Sequence, residues 1–349
     1  MRRVMSLGAV LVAASMVIAG CGGGDNGGAS SGGEKKTVKV GMAYDIGGRG
    51  DQSFNDAAAA GLDKAKKELG GDTATIDTKE LEAAPGESDA AKEERLNLLV
   101  TGGYNPIIAV GFAYAGPLKK VATANPNVKF GIVDDSSFQL PNVANLVFAE
   151  HQGSYLVGVA AAMKSTAKHV GFVGGVDVPL IHKFQAGFEA GAKAVDPNIK
   201  IDVKYLTQPP DFTGFNDPAK GKVAAQGMFD AGADVVYHAA GGSGSGVFEA
   251  AKAAGKLGIG VDSDQYNLPS LANVKDVILT SMLKRVDVAV FDYIKSYVDG
   301  SPLSGVQTFD LKKDGVGYST SGGKIDDIKS KLDEYKQKII SGEITVPEK

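Results

Sequence analysis

The 349-residue chain has no tryptophan, a single cysteine and four histidines. One cysteine excludes an internal disulfide and any thiolate metal cluster. The histidines, His151, His169, His182 and His238, show no ligand spacing; metal chemistry has little support, and most of them are expected in surface loops. Positive charge is not in excess, with 37 Lys+Arg against 41 Asp+Glu and a formal net charge of −4. Nothing electrostatic therefore points to nucleic acid as a partner. No Walker A pattern occurs. The Gly-rich loop AAGGSGSGVFEAAK (239–252) fails G-x-G-x-x-G, because Val247 stands where a third glycine should follow Gly242 and Gly244. It also lacks the G-x-S-x-G nucleophile elbow. The apolar run LGAVLVAASMVIAG (7–20) is too short for a comfortable membrane span.

That run has a different use. MRR supplies a positive start, the apolar stretch follows, and IAGC places the lone Cys21 directly after small residues. The pattern matches a lipobox, with residues 1–20 a signal peptide and Cys21 lipidated. An ordinary signal peptide with an incidental thiol is the plainer alternative, although a lone thiol is a liability in an exported protein. Residues 21–36, rich in Gly and Ser, read as a flexible tether. The folded part is expected outside the cytoplasm, held to the membrane by lipid.

From Thr37 onward short β-branched runs alternate with helical stretches. TVKVGMAYD (37–45), PIIAVG (106–111), VKFGIVDD (128–135), NLVFAE (145–150), HVGFVGG (169–175), KIDVKYL (200–206), DVVYHAA (234–240), IGVDSD (259–264) and VILTSML (277–283) read as strands. Such alternation predicts an α/β fold of doubly wound parallel sheets, and so many strands suit two sheets better than one.

One segment has a partner. VGMAYDIGGRGDQSFNDAAAAG (40–61) aligns without gaps on VGFVGGVDVPLIHKFQAGFEAG (170–191), pairing Val40, Gly41, Phe54, Ala60 and Gly61 with Val170, Gly171, Phe184, Ala190 and Gly191. Each copy reads as strand, loop and helix opening near a phenylalanine. Duplication predicts equivalent lobes, each bringing its Phe to the carboxyl end of its first strand, where open α/β sheets bind ligands. Either ring alone could equally be core packing; the pairing suggests a clamp for a flat molecule. Carboxylates also close strands: Asp45, then Asp134 and Asp135, then Asp262 and Asp264, with Lys284 and Arg285 after VILTSML. A single such Asp is commonly a cap or turn former. Recurrence at several strand ends points to hydrogen bonds with ligand hydroxyls or amines for at least one.

These stretches together resemble the basic membrane protein family of lipoproteins, whose nucleoside-binding members serve ABC transporters. The resemblance runs in order over about residues 38–290, through D-x-G-G-x-x-D-x-S-F-N (45–55), GYNPIIAVGF, KFGIVDD, GSYLVGVAAA, G-V-D-S-D-Q (260–265) and TSMLKRVD. It implies a type I periplasmic-binding-protein fold, with residues 37–148 plus 270–300 in one lobe and 149–269 plus 301–349 in the other. It implies that Asp45, Ser53, Phe54 and Asn55 form the first-lobe binding motif, with Phe112 and Asp134 nearby. Phe184 falls on the second-lobe aromatic position, and Gly242, Gly244, Asp262 and Lys284 on the ribose side. A monomer is expected that captures a purine nucleoside for an ABC permease, without cofactor or metal. Asn55 is expected to read the base edge. The competing readings are an extracytoplasmic nucleoside hydrolase, which would require a metal-binding carboxylate cluster near the N-terminus for which a lone D-x-G-G-x-x-D is poor evidence, and a nucleoside-sensing lipoprotein.

Overall fold

The computed structural model describes residues 36–71 and 74–349. The expected signal peptide (1–20), Cys21 and all of the expected tether except Lys36 lie outside the described residues. No helix among the described residues is long and apolar enough to cross a membrane.

The strands, in chain order, are β1 (Lys36–Ala43), β2 (Ala74–Leu81), β3 (Ile107–Val110), β4 (Phe130–Val133), β5 (Val143–Phe148), β6 (His169–Val176), β7 (Lys200–Thr207), β8 (Val235–Ala239), β9 (Leu257–Asp262), β10 (Ile278–Lys284), β11 (Gly305–Phe309) and β12 (Val316–Tyr318). The α-helices are α1 (Phe54–Glu68), α2 (Asp89–Thr101), α3 (Ala115–Ala124), α4 (Glu150–Lys164), α5 (Pro179–Val195), α6 (Pro218–Asp230), α7 (Gly244–Ala254), α8 (Val286–Val298) and α9 (Lys329–Ile340).

Two sheets result, ordered β11-β5-β4-β3-β1-β2 and β12-β10-β9-β8-β6-β7. Every pairing is parallel except β10 with β12. Helices on both faces explain why β3, β4, β6 and β8 are buried along their whole length and read as unbroken apolar runs. Both sheets are wound alike. After β1 the chain goes to β2 on one side and β3 on the other, and after β6 to β7 and β8. Each reversal opens a crevice at the carboxyl ends of the strands.

Strand β2 has no counterpart in the sequence reading. Residues 75–80, TIDTKE, alternate exposed and half-buried at a sheet edge, so polar side chains mask the strand. The lobe boundaries also need correction. The chain passes between lobes at β5–α4, at β10–α8 and after β11. α4 packs along α5, and α8 along α1. β10 therefore belongs to the second sheet, contrary to the assignment of 270–300, and β11 to the first, contrary to 301–349. An apolar strand is equally comfortable in either sheet, and its composition cannot say which one it joins.

The internal alignment has a physical counterpart. A Cβ at Gly61 would lie 2.4 Å from the Asp287 carbonyl oxygen of α8, and one at Gly191 would lie 2.0 Å from the Tyr155 carbonyl oxygen of α4. The matched glycines thus do the same work, letting the first helix of each lobe touch the backbone of a crossing helix. The loops differ, however. Residues 44–53 join β1 to α1, whereas Asp177 and Val178 alone join β6 to α5. Phe54 opens its helix; Phe184 sits in the second turn of its own. The histidines also depart from expectation, since His151, His169 and His238 are buried. His169 meets Asp202 at 2.7 Å, and His238 meets the Gln265 side chain at 3.1 Å beside the Phe248 ring.

Candidate functional site

The lobe 1 wall begins in the loop that follows β1. The Asp51 carboxylate accepts the backbone N–H groups of Ser53 (2.9 Å), Asn55 (2.8 Å) and Asp56 (3.1 Å), and the Asn55 amide at 3.1 Å. Asp56 in turn accepts from Gly50 and Gln52 at 2.8 and 2.9 Å. Asp51 thereby satisfies the orphan donors that open α1, a task usually left to the N-cap side chain. Ser53, at the N-cap, is freed from it. Its Oγ donates instead to Asp262 Oδ2 of the other lobe, at 2.5 Å. With Ala58, Leu62 and Ala65 facing the core, Phe54 is left half-buried on the cleft side.

Beside it stands Asp45. Asn55 Oδ1 accepts the Asp45 N–H at 3.1 Å, and Asn55 Nδ2 donates to the Ile46 carbonyl at 3.2 Å. Gly111, after β3, has φ +106°, and a Cβ there would fall 2.4 Å from Asp45 Oδ2. Only glycine fits both constraints. Phe112 follows it into the cleft.

Lobe 2 contributes Leu180, Ile181 and Phe184 from α5, Gly241 after β8, Asp262 ending β9, Lys284 ending β10, and Phe215. Asp134 and Asp262 occupy matching places, after β4 and at the end of β9. Both adopt left-handed backbone, at φ 67° and 64°. Aspartate tolerates that region better than most residues, and such conformations persist where surrounding structure enforces them.

The Lys284 ammonium is the electrostatic centre. Its Nζ lies 2.6 Å from Asp134 Oδ2 and 3.3 Å from Glu150 Oε1, and 5.2, 5.1 and 5.5 Å from the ring centres of Phe54, Phe148 and Phe184. Burial alone would lower its pKa, but Asp134, Glu150 and Asp262 together outweigh burial and hold it above the ordinary lysine range. Burial pushes the Asp45 and Asp262 carboxyls each up to about 6, opposed for Asp262 by Lys284 and Ser53. One cation thus faces several carboxylates, and a dianionic phosphate would be repelled.

The lobes are closed on one another. Besides Ser53–Asp262 and Asp134–Lys284, Gln265 Nε2 donates to the Gln52 carbonyl at 2.8 Å, and the Phe112 and Phe212 rings meet edge-on at 6.0 Å. Between them lies a cavity that, with the open space at its mouth, spans about 570 Å³. Asp45, Phe54, Asn55, Phe112, Asp134, Phe184, Asp262 and Lys284 line it. Ser53 sits behind Asp262. Gly242 and Gly244 fall outside the lining. A Cβ at Gly244 would strike the His238 ring at 1.9 Å, and one at Gly242 would approach Asn216 Oδ1 at 2.9 Å, so both serve packing. Gly241 lines the cavity in their place. Asn55 reaches the wall with both amide hydrogens already spent on the loop, so the expected base-edge donor is corrected to a loop clamp.

Sequence reasoning missed Ile46, Leu180, Ile181, Phe215 and Gly111 in the lining. Gly111 directly follows an apolar strand and could have been found by the strand-end rule. Phe215 lies in an irregular stretch with no periodic signal. No group of His, Cys, Asp and Glu among the described residues is arranged to hold a metal ion.

Two parallel-sheet α/β lobes closed over a shared cavity define the type I periplasmic-binding-protein fold. Residues 37–349 match the family model described as Bmp, ABC transporter substrate-binding protein PnrA-like. The chain belongs to this family, the one its motifs resemble. It is 38% identical to the CD4+ T-cell-stimulating antigen of Listeria innocua over 98% of this chain and 97% of that protein. It is 34% identical to the ABC transporter nucleoside-binding protein BmpA of Lactococcus lactis over 100% of this chain and 99% of that protein. Among solved structures, a solute-binding protein of an ABC transporter system from Aeropyrum pernix superposes with TM-score 0.76 at 31% identity, over 89% of this chain and 94% of that one.

Proposed function

We propose that the chain is a lipid-anchored, extracytoplasmic receptor that captures a purine nucleoside between its lobes and presents it to an ABC permease. One observation carries the reading: Phe54 and Phe184, on different lobes, border a single cavity around the Lys284 ammonium. A base between two aromatic faces gains about 1–3 kcal/mol from each. Ribose hydroxyls can donate to Asp134 and Asp262 and accept from Lys284, each charge-assisted bond adding about 1.5–3 kcal/mol. The surplus of carboxylates disfavours a phosphate, which supports nucleoside over nucleotide. Similarity to a relative named for nucleoside binding supports the same reading.

Calorimetric titration with adenosine, guanosine, inosine, uridine and ribose tests it. Purine nucleosides should bind, ribose far more weakly and the 5′-monophosphates least; heat from none of the nucleosides would end the proposal. Binding is favoured over hydrolysis because Asp51, the second carboxylate of D-x-G-G-x-x-D, is saturated by N–H donors. Release of hypoxanthine from inosine would reverse that choice. Cys21→Ala should free the protein from membranes with its affinity unchanged.

A further inference from the structure

Glu150 is a buried, charged side chain, 1% exposed, that the binding reading leaves unused. It opens α4, immediately after the β5–α4 crossover. Its Oε1 lies 3.3 Å from Lys284 Nζ, while its Oε2 has no hydrogen-bond partner and lies 3.9 Å from Lys183 Nζ of α5. Lys183 is half-buried, neighbours Phe184 in sequence, and reaches Glu348 near the C-terminus at 3.4 Å.

The two carboxylates on Lys284 differ in one respect. Asp134 belongs to lobe 1 and Lys284 to lobe 2, so their contact spans the cleft. A ligand can enter a cavity bounded by both lobes only when they part, and parting breaks that contact. Glu150 and Lys284 both belong to lobe 2 and stay together. We propose that Glu150 is the positioning residue for Lys284: it keeps the ammonium aimed into the cleft while the lobes are open, and the strength of ligand capture follows Glu150's charge. The inference deepens the nucleoside reading and rests on it for its ligand.

Geometry supplies the reason. Parting removes Asp134, Phe54 and Phe148 together, because all three belong to lobe 1, and leaves the ammonium with Phe184, Asp262 and Glu150; of these two carboxylates Glu150 is the one within ion-pair distance. Without that partner a long, flexible lysine side chain has no fixed direction in the opened cleft. The groups facing Glu150 are Lys284 from β10, Lys183 from α5, Asp134 from lobe 1 and the Tyr237 hydroxyl from β8, with His151 next to it on α4 and Glu348 on the tail. Burial pushes the Glu150 carboxyl up to about 7, with Lys284 and Lys183 opposing. Its charge therefore changes near neutral pH.

Glu150→Gln keeps the shape and removes the charge. Inosine should bind it about tenfold more weakly than wild type at pH 8. Wild-type affinity should fall as pH drops through about 7, whereas the variant should be flat there and Glu150→Asp should restore part of the slope. Lys183→Met removes a cation beside the carboxylate from a partly solvent-exposed position, so the wild-type transition should move to higher pH. A Glu150→Gln protein with wild-type affinity and slope, or a Lys183→Met protein with an unmoved transition, overturns the proposal. Carbon-13 NMR of the glutamate side chains needs no ligand. It should reveal one carboxyl titrating near neutral pH, absent in Glu150→Gln and moved upward in Lys183→Met. Should wild type bind no nucleoside, the functional reading falls; separately, an NMR spectrum with no glutamate titrating near neutral pH, or one unmoved in Lys183→Met, overturns the proposal for Glu150 without any ligand.

Discussion

In lobe 1 the chain takes residues 44–53 to travel from β1 to α1, and in lobe 2 it takes only Asp177 and Val178 from β6 to α5. The long loop is held by polar bonds, with Asp51, Asn55 and Asp56 closing on backbone N–H and C=O groups. It delivers Phe54 at the helix start, half-buried. The short turn has no room for such a scaffold, so Phe184 comes from the apolar stripe of α5 and is only 3% exposed, packed with Phe188 and Ile181 in the core. Equivalent folds thus reach one cavity with two rings of unequal status. Phe54 belongs to the site; Phe184 belongs to the site and the core together.

Substitutions can break or sharpen this contrast. Phe184→Ala should have the largest effect, lowering stability by about 3–5 kcal/mol as a core truncation and abolishing measurable nucleoside binding. Denaturant melts and calorimetry would check both, and an unchanged melt would remove Phe184 from the core. Gly191→Ala and Gly61→Ala come next, each forcing apart a helix pair for about 1–3 kcal/mol. Nearly equal losses would support the equivalence of the lobes, while a tolerated Gly61→Ala would break it. Phe54→Ala should weaken binding by about 1–3 kcal/mol and leave the apo thermal midpoint almost unmoved; a large drop in that midpoint would make the ring core.

The smallest effect concerns pH. Asp45 titrates at about 6 in the folded protein, above its ordinary 3.8. A carboxyl raised in the native state costs stability when ionised; the cost is full above about 6, shrinks as pH falls from there, and is gone below the ordinary 3.8. Asp45→Asn should therefore raise the apo midpoint by about 2–4 °C at pH 8, and the gain should shrink toward pH 5. A gain independent of pH would mean that the carboxyl is not strained by burial.

Much of the fold was legible. β6, HVGFVGGV, could only be a buried strand, and the pairing of Gly61 with Gly191 already held the symmetry of the lobes. β2 was not, because an edge strand clothed in Thr, Asp and Lys lacks the apolar signal. The site was legible as positions but less so as roles. Asp45, Asp134, Asp262 and Lys284 stand at strand ends and reach the cavity. Asn55, Gly242 and Gly244 looked equally suited to a ligand and are committed to loop and helix packing. Donor capacity already spent inside the protein leaves no trace in residue type.

The order of strands and helices, the strand-end carboxylates and the matched phenylalanines follow from local pattern, since period, turn chemistry and chain direction are set by near neighbours. Which groups meet is a different matter. Ser53 finds Asp262 across 209 positions of chain, and Lys284 finds Asp134 across 150. Only the docking of the two lobes creates those pairs. Burial and charge at such points depend on surfaces brought together from far apart, which no stretch of sequence contains by itself.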